Sequence, residues 1–514
     1  MDKTFYITTP IYYVNDKPHI GHASTTVWAD VQARYQRMTG RKTFFLTGLD
    51  EHGLKIQQAA EKRGLTPQAH CDEMAAHFQN LWKELQISND DFVRTTQDRH
   101  KKIVGDFLNV LQAKGAIYKK KYSGWYSKSA EQFVTEKEMV DGKFPAHLGE
   151  VIELEEENYF FKMSEHQAWL LKYIQDHPDW IQPANRRNEV IGWLQRPLDD
   201  LCISRPKARL AWGIPIPFDP EYVTYVWVDA LVNYISVVGY GTDRFSAFWP
   251  AEFHLIAKDI LMTHAVYWPT MLHATGIEMP QRMLAHGWWL FGREKMSKSL
   301  GNVVDPRDYI ARFGADAVRY FICRELQLST DTDFTEERFL QRFNADLAND
   351  LGNLANRSLS MIQRYREGVV PKFGDKAPSD DEMVETARTT LADYHRHMQA
   401  IAYGPALESI WKLISRANRY VDENAPWKLA KDPTLSARLD SVLRVLAETT
   451  ACVVSLISPF MPSIAKNLEE QLGEACLPAE IFTKMGDAPL HALRDGAKIG
   501  KPSPLFPRQT AEKK

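Results

Sequence analysis

The sequence predicts an α/β protein built on a doubly wound parallel sheet, interrupted once by an inserted domain and followed by a C-terminal α-helical bundle. Three observations lead there. Near the N-terminus, short β-branched or aromatic segments alternate with helical ones. A stretch of mixed turns with an acidic run then breaks the alternation, and from about Phe339 onward only helical periodicity remains. A chain of 514 residues is too long for one core, so several domains are expected.

The elements follow in order. Phe5 to Thr9 is short, apolar and ends at Pro10, which reads as a buried parallel strand. A loop from Pro10 to Pro18 leads into a helix from about Ile20, with Val27, Val31, Arg34 and Tyr35 at helical spacing. Thr43 to Thr47 reads as the second strand and Gly53 to Arg63 as the next helix. The insert, from about Tyr118 to Arg205, holds short aromatic strands and the acidic run Glu153 to Glu157. The α/β pattern resumes with strands at Tyr222 to Val228 and Phe253 to Ala257, each followed by a helix. Helices then cover Ala345 to Glu367, Asp380 to Tyr403, Ala406 to Asn424 and Leu435 to Leu456. The expected divisions are 1–117 and 206–300 for the two halves of the doubly wound domain, 118–205 for the insert, 301–338 for a linking segment and 339–514 for the helical domain.

Composition narrows the function. A formal net charge of −3 argues against wholesale coating of nucleic acid, while leaving room for a local basic surface. The five cysteines are scattered, odd in number and nowhere spaced as CxxC, which suits a reducing compartment. The start MDKTFYITTP has no cationic segment followed by an apolar one, and no apolar run of about 18 residues occurs. A cytoplasmic protein with no membrane partner is expected.

Two motifs carry chemistry. His19-Ile20-Gly21-His22 falls at the start of the first helix, where free amides and the helix dipole attract an anion and two imidazoles can donate to it. Gly21 leaves room for a flat base against its backbone. Lys295-Met296-Ser297-Lys298-Ser299 places two lysines in a Ser-containing loop that can close on a triphosphate and neutralise charge on departing pyrophosphate.

With both motifs on a split doubly wound, Rossmann-like fold, the chain resembles class I aminoacyl-tRNA synthetases, and within them the methionyl-tRNA synthetase family, from Phe5 to about Leu456. TTPIYYVNDKPHIGH, FLTGLDEHG, YVWVDALVNY, HLIAKDILMTHAVYWP and DENAPWKLA carry the match. The resemblance implies an ATP-dependent ligase, with Mg²⁺, that activates L-methionine and loads it onto tRNA(Met). It implies catalytic roles for His19, His22, Lys295 and Lys298, which also bind ATP together with Gly21 and Asp259. Asp50 is expected to hold the methionine ammonium group, with Arg205 facing it. The side-chain pocket is expected from Pro10, Ile11, Tyr13, Trp227, Ala230, Leu231, Tyr234, Ile260 and His264. Leu231 replaces a proline, and Thr263 an aromatic residue, seen in some members. Asn353, Arg357 and Trp427 match the family's anticodon contacts, where aromatic stacking and polar groups read splayed bases. The insert is too short for the large editing domain of the isoleucine, valine and leucine enzymes. The chain stops near 514 without the appended domain that some relatives use to dimerise, so a monomer is expected.

One departure from the family is chemical. Many members carry a zinc knuckle with CxxC after a GWY-like segment, but here the chain reads Gly124-Trp125-Tyr126-Ser127-Lys128-Ser129-Ala130. Without thiolate or imidazole ligands at knuckle spacing, no structural zinc is expected. Purified protein should contain far less than one zinc per chain by elemental analysis; stoichiometric zinc would contradict this.

Overall fold

The computed structural model describes residues 4–127, 132–134, 139, 143–145, 149–292, 294–295, 303–473, 490 and 493–506; the side chains at positions 122, 132, 133, 154 and 295 are outside that description. Its centre is a six-stranded parallel sheet. Across the sheet the strands run Asp91–Arg94, Thr43–Asp50 (β2), Phe5–Tyr13 (β1), Phe253–Ala257, Met283–His286 and Ile181–Gln182. The chain builds outward from β1 in one direction and later returns to pair with its other edge. That reversal of order leaves a crevice at the carboxyl ends of β1 and Phe253–Ala257, the place where open α/β sheets bind ligands.

Both first strands are longer than their apolar runs imply. In β1 the pairing register with β2 slips between Thr8 and Ile11, around Pro10. Proline has no amide to give to the ladder, so the strand bulges there and then resumes. β2 continues to Asp50, which stands in register beside Tyr13. Gly48 is required within it, because a Cβ there would lie 2.2 Å from the Val93 carbonyl oxygen.

Two expectations need correction. The Tyr222 to Val228 run is not a strand of the main sheet. Its first part belongs to the strand Asp219–Thr224, antiparallel in a separate three-stranded sheet, and Val226–Ser236 is a helix. An uninterrupted apolar run fits a buried helix as well as a buried strand. The insert is also not confined to its own sheet. Its antiparallel core pairs Ile117–Ser127 along its whole length with Val151–Phe161, but between the helices Gln167–Asp176 and Ala184–Leu194 the chain returns Ile181–Gln182 to the edge of the parallel sheet. The acidic run is matched across that pairing: Lys119 bridges Glu157 and Asp219, and Lys121 bridges Glu155.

The C-terminal part is helical, with long helices at Gly352–Arg366, Pro378–Gln399, Tyr403–Asn424 and Ser436–Ile457. It shares its core with the sheet. One continuous apolar cluster joins Phe5 and Ile7 of β1, Val27 and Val31 of the first helix (Ile20–Met38, α1), Phe321, and Leu443 and Leu446 of the bundle. At its middle is a buried ion pair. Arg319 Nη2 lies 2.7 Å from Asp30 of α1, and neither side chain is exposed. Arg319 also donates to the Leu85, Pro459 and Phe460 carbonyl oxygens, and Asp30 accepts from Arg34, Ser88 N and Ser88 Oγ.

Removing one member leaves the other charge buried and uncompensated. Asp30→Ala should therefore lower the free energy of unfolding by about 3–5 kcal/mol, read from chemical denaturation. A loss below about 1 kcal/mol, the range of exposed pairs, would contradict the role given to the junction.

Candidate functional site

A cavity of about 460 Å³ opens in the crevice at the strand ends, within the range of small-molecule sites. Its lining brings together Pro10, Ile11, Tyr13, Asp50, Trp227, Ala230, Leu231, Tyr234, Ile260 and His264 with His19, Gly21, His22 and Asp259. Each element delivers its residues for a local reason. The bulge at Pro10 presents Ile11 and Tyr13, and the end of β2 presents Asp50. Trp227, Ala230, Leu231 and Tyr234 follow i, i+3, i+4, i+7 spacing and so share one face of the Val226–Ser236 helix. His264 sits in a π-helical turn, Thr263–Tyr267, and such wide turns recur at functional sites.

The start of α1 is locked by its own histidines. His19 is the N-cap and its Nδ1 accepts from the Gly21 amide; His22 Nδ1 accepts from the His19 amide. The two rings lie 3.9 Å apart between centroids. With Nδ1 accepting, each neutral ring carries its proton on Nε2 and is a donor at that atom. Gly21 serves this arrangement directly, since a Cβ would come within 2.9 Å of the His19 ring.

At the buried end, His264 Nδ1 donates to the Ile260 carbonyl oxygen at 2.9 Å, and Nε2 accepts from the Tyr234 hydroxyl at 2.7 Å. The pair is neutral and satisfied internally. Burial pulls the His264 ring down from its ordinary 6.5 to about 4, and pushes the Tyr234 phenol well up. Trp288 also lines the cavity and its indole N–H donates to Asp259 at 3.3 Å.

Several lining residues are not among the sequence candidates, notably Thr25, Lys55, His286 and Trp288. Thr25 follows His22 and Gly21 by three and four positions, so helical periodicity could have found it. Its hydroxyl lies 2.7 Å from His286 Nε2 and ties α1 to the end of the Met283–His286 strand. Lys55 and Trp288 carry no signal beyond lying near a motif.

Other candidates are placed elsewhere. Arg205 is buried but is absent from the cavity lining. It donates to the Ser204 carbonyl oxygen at 2.7 Å, lies 4.4 Å above the Tyr225 ring, and lines a small neighbouring pocket with Leu54 and Val226. The short antiparallel strand Ser204–Pro206 holds it there, beside the start of the Val226–Ser236 helix. Of the second motif, Lys295 ends a hairpin opposite Leu290, its side chain lying outside the described residues; Lys298 lies outside them altogether. In the helical domain, Asn353 and Arg357 are one turn apart on Gly352–Arg366, and Arg357 stands 5.9 Å from the Trp427 ring. Trp427 is 41% exposed, far more than a core tryptophan would be. Asp422 pairs with Arg357 at 2.5 Å.

The state of His264 is testable through pH. Its folded value is depressed, so the stability it contributes is complete above about 6.5 and is lost as pH falls toward 4. Ring resonances of His264 should not titrate above about pH 5, and acidification from 6.5 to 4 should cost about 3 kcal/mol through this group. Titration near 6.5 would contradict a neutral, closed Tyr234–His264 pair.

Comparison with known proteins agrees in sequence and in shape. The family model for class I tRNA synthetases (M) matches residues 5–151 and 148–359, and that for the anticodon binding domain of methionyl tRNA ligase matches 370–514. The methionine–tRNA ligase of Caldanaerobacter subterraneus is 45% identical over 100% of this chain and 80% of its own length. That of Bacillus subtilis is 44% identical over 99% and 79%. The Mycobacterium tuberculosis methionyl-tRNA synthetase in complex with methionyl-adenylate superposes with a TM-score of 0.93 at 40% identity, covering 98% of this chain and 100% of that one. Its apo form gives 0.87 at 36%, covering 99% of each. With both family models matched along the chain and relatives this similar over their shared length, the chain belongs to the methionyl-tRNA synthetases of class I.

Proposed function

We propose that the cavity condenses L-methionine with ATP by way of Asp50, the Tyr234–His264 pair and the histidines of α1, as the first half of methionine–tRNA ligation. The observation that carries this reading is one continuous lining. It joins a buried carboxylate, an apolar slot closed by a neutral hydroxyl–imidazole pair, and two imidazole Nε2 donors at a helix N-terminus. A carboxylate at a strand end suits an ammonium group. Trp227, Leu231 and the Tyr234–His264 pair suit a polarizable thioether, a weak acceptor that asks for no strong donor. Helix amides and the His19 and His22 Nε2 donors suit phosphate oxygens.

In this arrangement the methionine carboxylate oxygen attacks the α-phosphorus of ATP. A P–O bond forms to give methionyl-adenylate, and the bond to the bridging oxygen breaks to release pyrophosphate. The residues contribute mostly by positioning and by charge stabilisation. Lys295 and Lys298 would neutralise the leaving pyrophosphate, and Asp259 belongs with Gly21 on the nucleotide side. A terminal ribose hydroxyl of tRNA(Met) then attacks the adenylate carbonyl carbon, and AMP leaves. We assign Arg205 a supporting place behind the pocket wall.

The nitrogen donors around α1 match phosphate oxygens better than a hard cation. Mg²⁺ would therefore be held by ATP oxygens and water, and would supply charge neutralisation on the phosphates. We read the insert as zinc-free, its strands held by the long antiparallel pairing. Asn353, Arg357 and Trp427, in the helical part from about residue 339, would read the anticodon; an exposed indole under a guanidinium is suited to stack on a base. A monomer in a reducing cytoplasm fits the free, buried Cys71, Cys202, Cys323 and Cys452.

Purified enzyme should catalyse ATP–pyrophosphate exchange with methionine in strong preference to other amino acids. Asp50→Ala should leave ATP binding nearly normal and cost about 3–5 kcal/mol in methionine-dependent exchange, as when a buried charge pair loses one member. Preference for another amino acid, or an unchanged Asp50→Ala rate, would overturn the reading.

A further inference from the structure

We infer that Asp229 is a positioning residue for amino-acid activation, setting the distance between the ammonium anchor and the side-chain wall of the cavity. Asp229 lies on the Val226–Ser236 helix between Trp227 and Ala230, which line the cavity, yet it is not itself part of the lining. Its carboxylate is 1% exposed and is held from both sides. One oxygen lies 2.6 Å from His52 Nδ1 and the other 2.7 Å from His100 Nε2. His100 Nδ1 in turn lies 2.8 Å from Ser236 Oγ, on the last residue of the same helix.

The arrangement spans the amino-acid part of the site. His52 is two residues beyond Asp50, so it moves with the end of β2. Asp229 moves with Trp227, Ala230, Leu231 and Tyr234. His100, on the helix Asp98–Ala113, braces the wall helix at two points, Asp229 and Ser236. Burial alone would raise the Asp229 carboxyl, but His52 and His100 more than offset it and hold it below its usual range, so it stays an ionised acceptor. Glu51, between Asp50 and His52, is secured separately by Arg94 at 2.6 Å. The His52–Asp229 contact therefore ties the anchor strand to the wall helix.

This inference rests on the proposed binding of methionine in the cavity. An amino acid of fixed length, held at its ammonium and at its thioether, senses the separation of the two elements in ground state and transition state alike. Loosening that separation raises KM for methionine and leaves kcat nearly alone. ATP, placed by β1 and α1, does not sense it.

The test is exchange kinetics on the full-length enzyme and three variants. His52→Asn keeps a donor near the Nδ1 position, His52→Ala removes it, and Asp229→Asn leaves one acceptor oxygen for two rings. His52→Ala and Asp229→Asn should raise KM for methionine about tenfold, the scale of one charge-assisted hydrogen bond. KM for ATP and kcat should stay within about twofold, and His52→Asn should restore methionine KM close to wild type. Unchanged methionine KM, equal loss in His52→Asn and His52→Ala, or a parallel rise in KM for ATP would overturn the inference. If Asp229→Asn does not fold, the two His52 variants decide alone. If the wild type shows no methionine-dependent exchange, the reading of the cavity fails and the inference falls with it; an active wild type with unmoved variants rejects only the inference.

Discussion

A charged pair with no solvent contact has to be satisfied by protein alone, and Asp30–Arg319 is such a pair at the meeting of four chain segments. Asp30 belongs to the helix that begins with His19 and His22. Arg319 belongs to a helix after the second motif and reaches the carbonyls of Pro459 and Phe460 in the bundle. The carboxylate accepts from Arg34 and twice from Ser88, and the guanidinium gives its hydrogens to Leu85, Pro459 and Phe460. Neither charge can be moved or hydrated without breaking several bonds at once. The helix that begins with His19 and His22 is thereby fixed in the same core as the C-terminal bundle, and Tyr403 adds a second tie through its hydroxyl to the Trp28 carbonyl oxygen at 2.7 Å.

Fixing α1 matters because its first turn works through direction. The capping bonds hold both rings with Nδ1 inward, so both Nε2 atoms are donors. The part of the cavity lined by Tyr234 and His264 follows another logic, in which polar groups close on one another. Tyr234 and His264 satisfy each other, Thr8 Oγ1 lies 2.8 Å from Nδ1 of the neighbouring His254, and burial holds both histidines neutral. A neutral, satisfied wall favours an apolar side chain and penalises a charged one, which would have to shed water without finding a partner.

Much of this is legible in the residues. The His19–His22 motif announces a helix start, which the structure places at Ile20 with His19 as its N-cap, because helix capping is a local property. The wall of Trp227, Ala230, Leu231 and Tyr234 is legible as a set, although Tyr222–Val228 reads as one strand and divides between the strand Asp219–Thr224 and the helix Val226–Ser236. Nothing in a run of buried apolar residues separates the two periods until Asp229 is seen to need one protected face. Arg205 illustrates the converse: the motif locates the residue, but the pairing of its short strand with Asp219–Thr224 decides that its side chain lies over the Tyr225 ring and outside the cavity lining. Asp229, His52 and His100 are invisible as a unit, since they are separated by 48 to 177 positions in the chain and only the packing of three elements brings them together.

The central claim is the orientation of the reactants: ammonium on Asp50, thioether at the Tyr234–His264 pair, phosphate at the start of α1. A crystal structure of this protein with a non-hydrolysable methionyl-adenylate analogue tests it most directly. The account predicts the analogue's ammonium within hydrogen-bond distance of the Asp50 carboxylate and its sulfur against Tyr234 and His264. It also places the phosphate oxygens within reach of His19 and His22 Nε2. An analogue bound in the reverse sense, with its phosphate toward Asp50 or its thioether at α1, would contradict it.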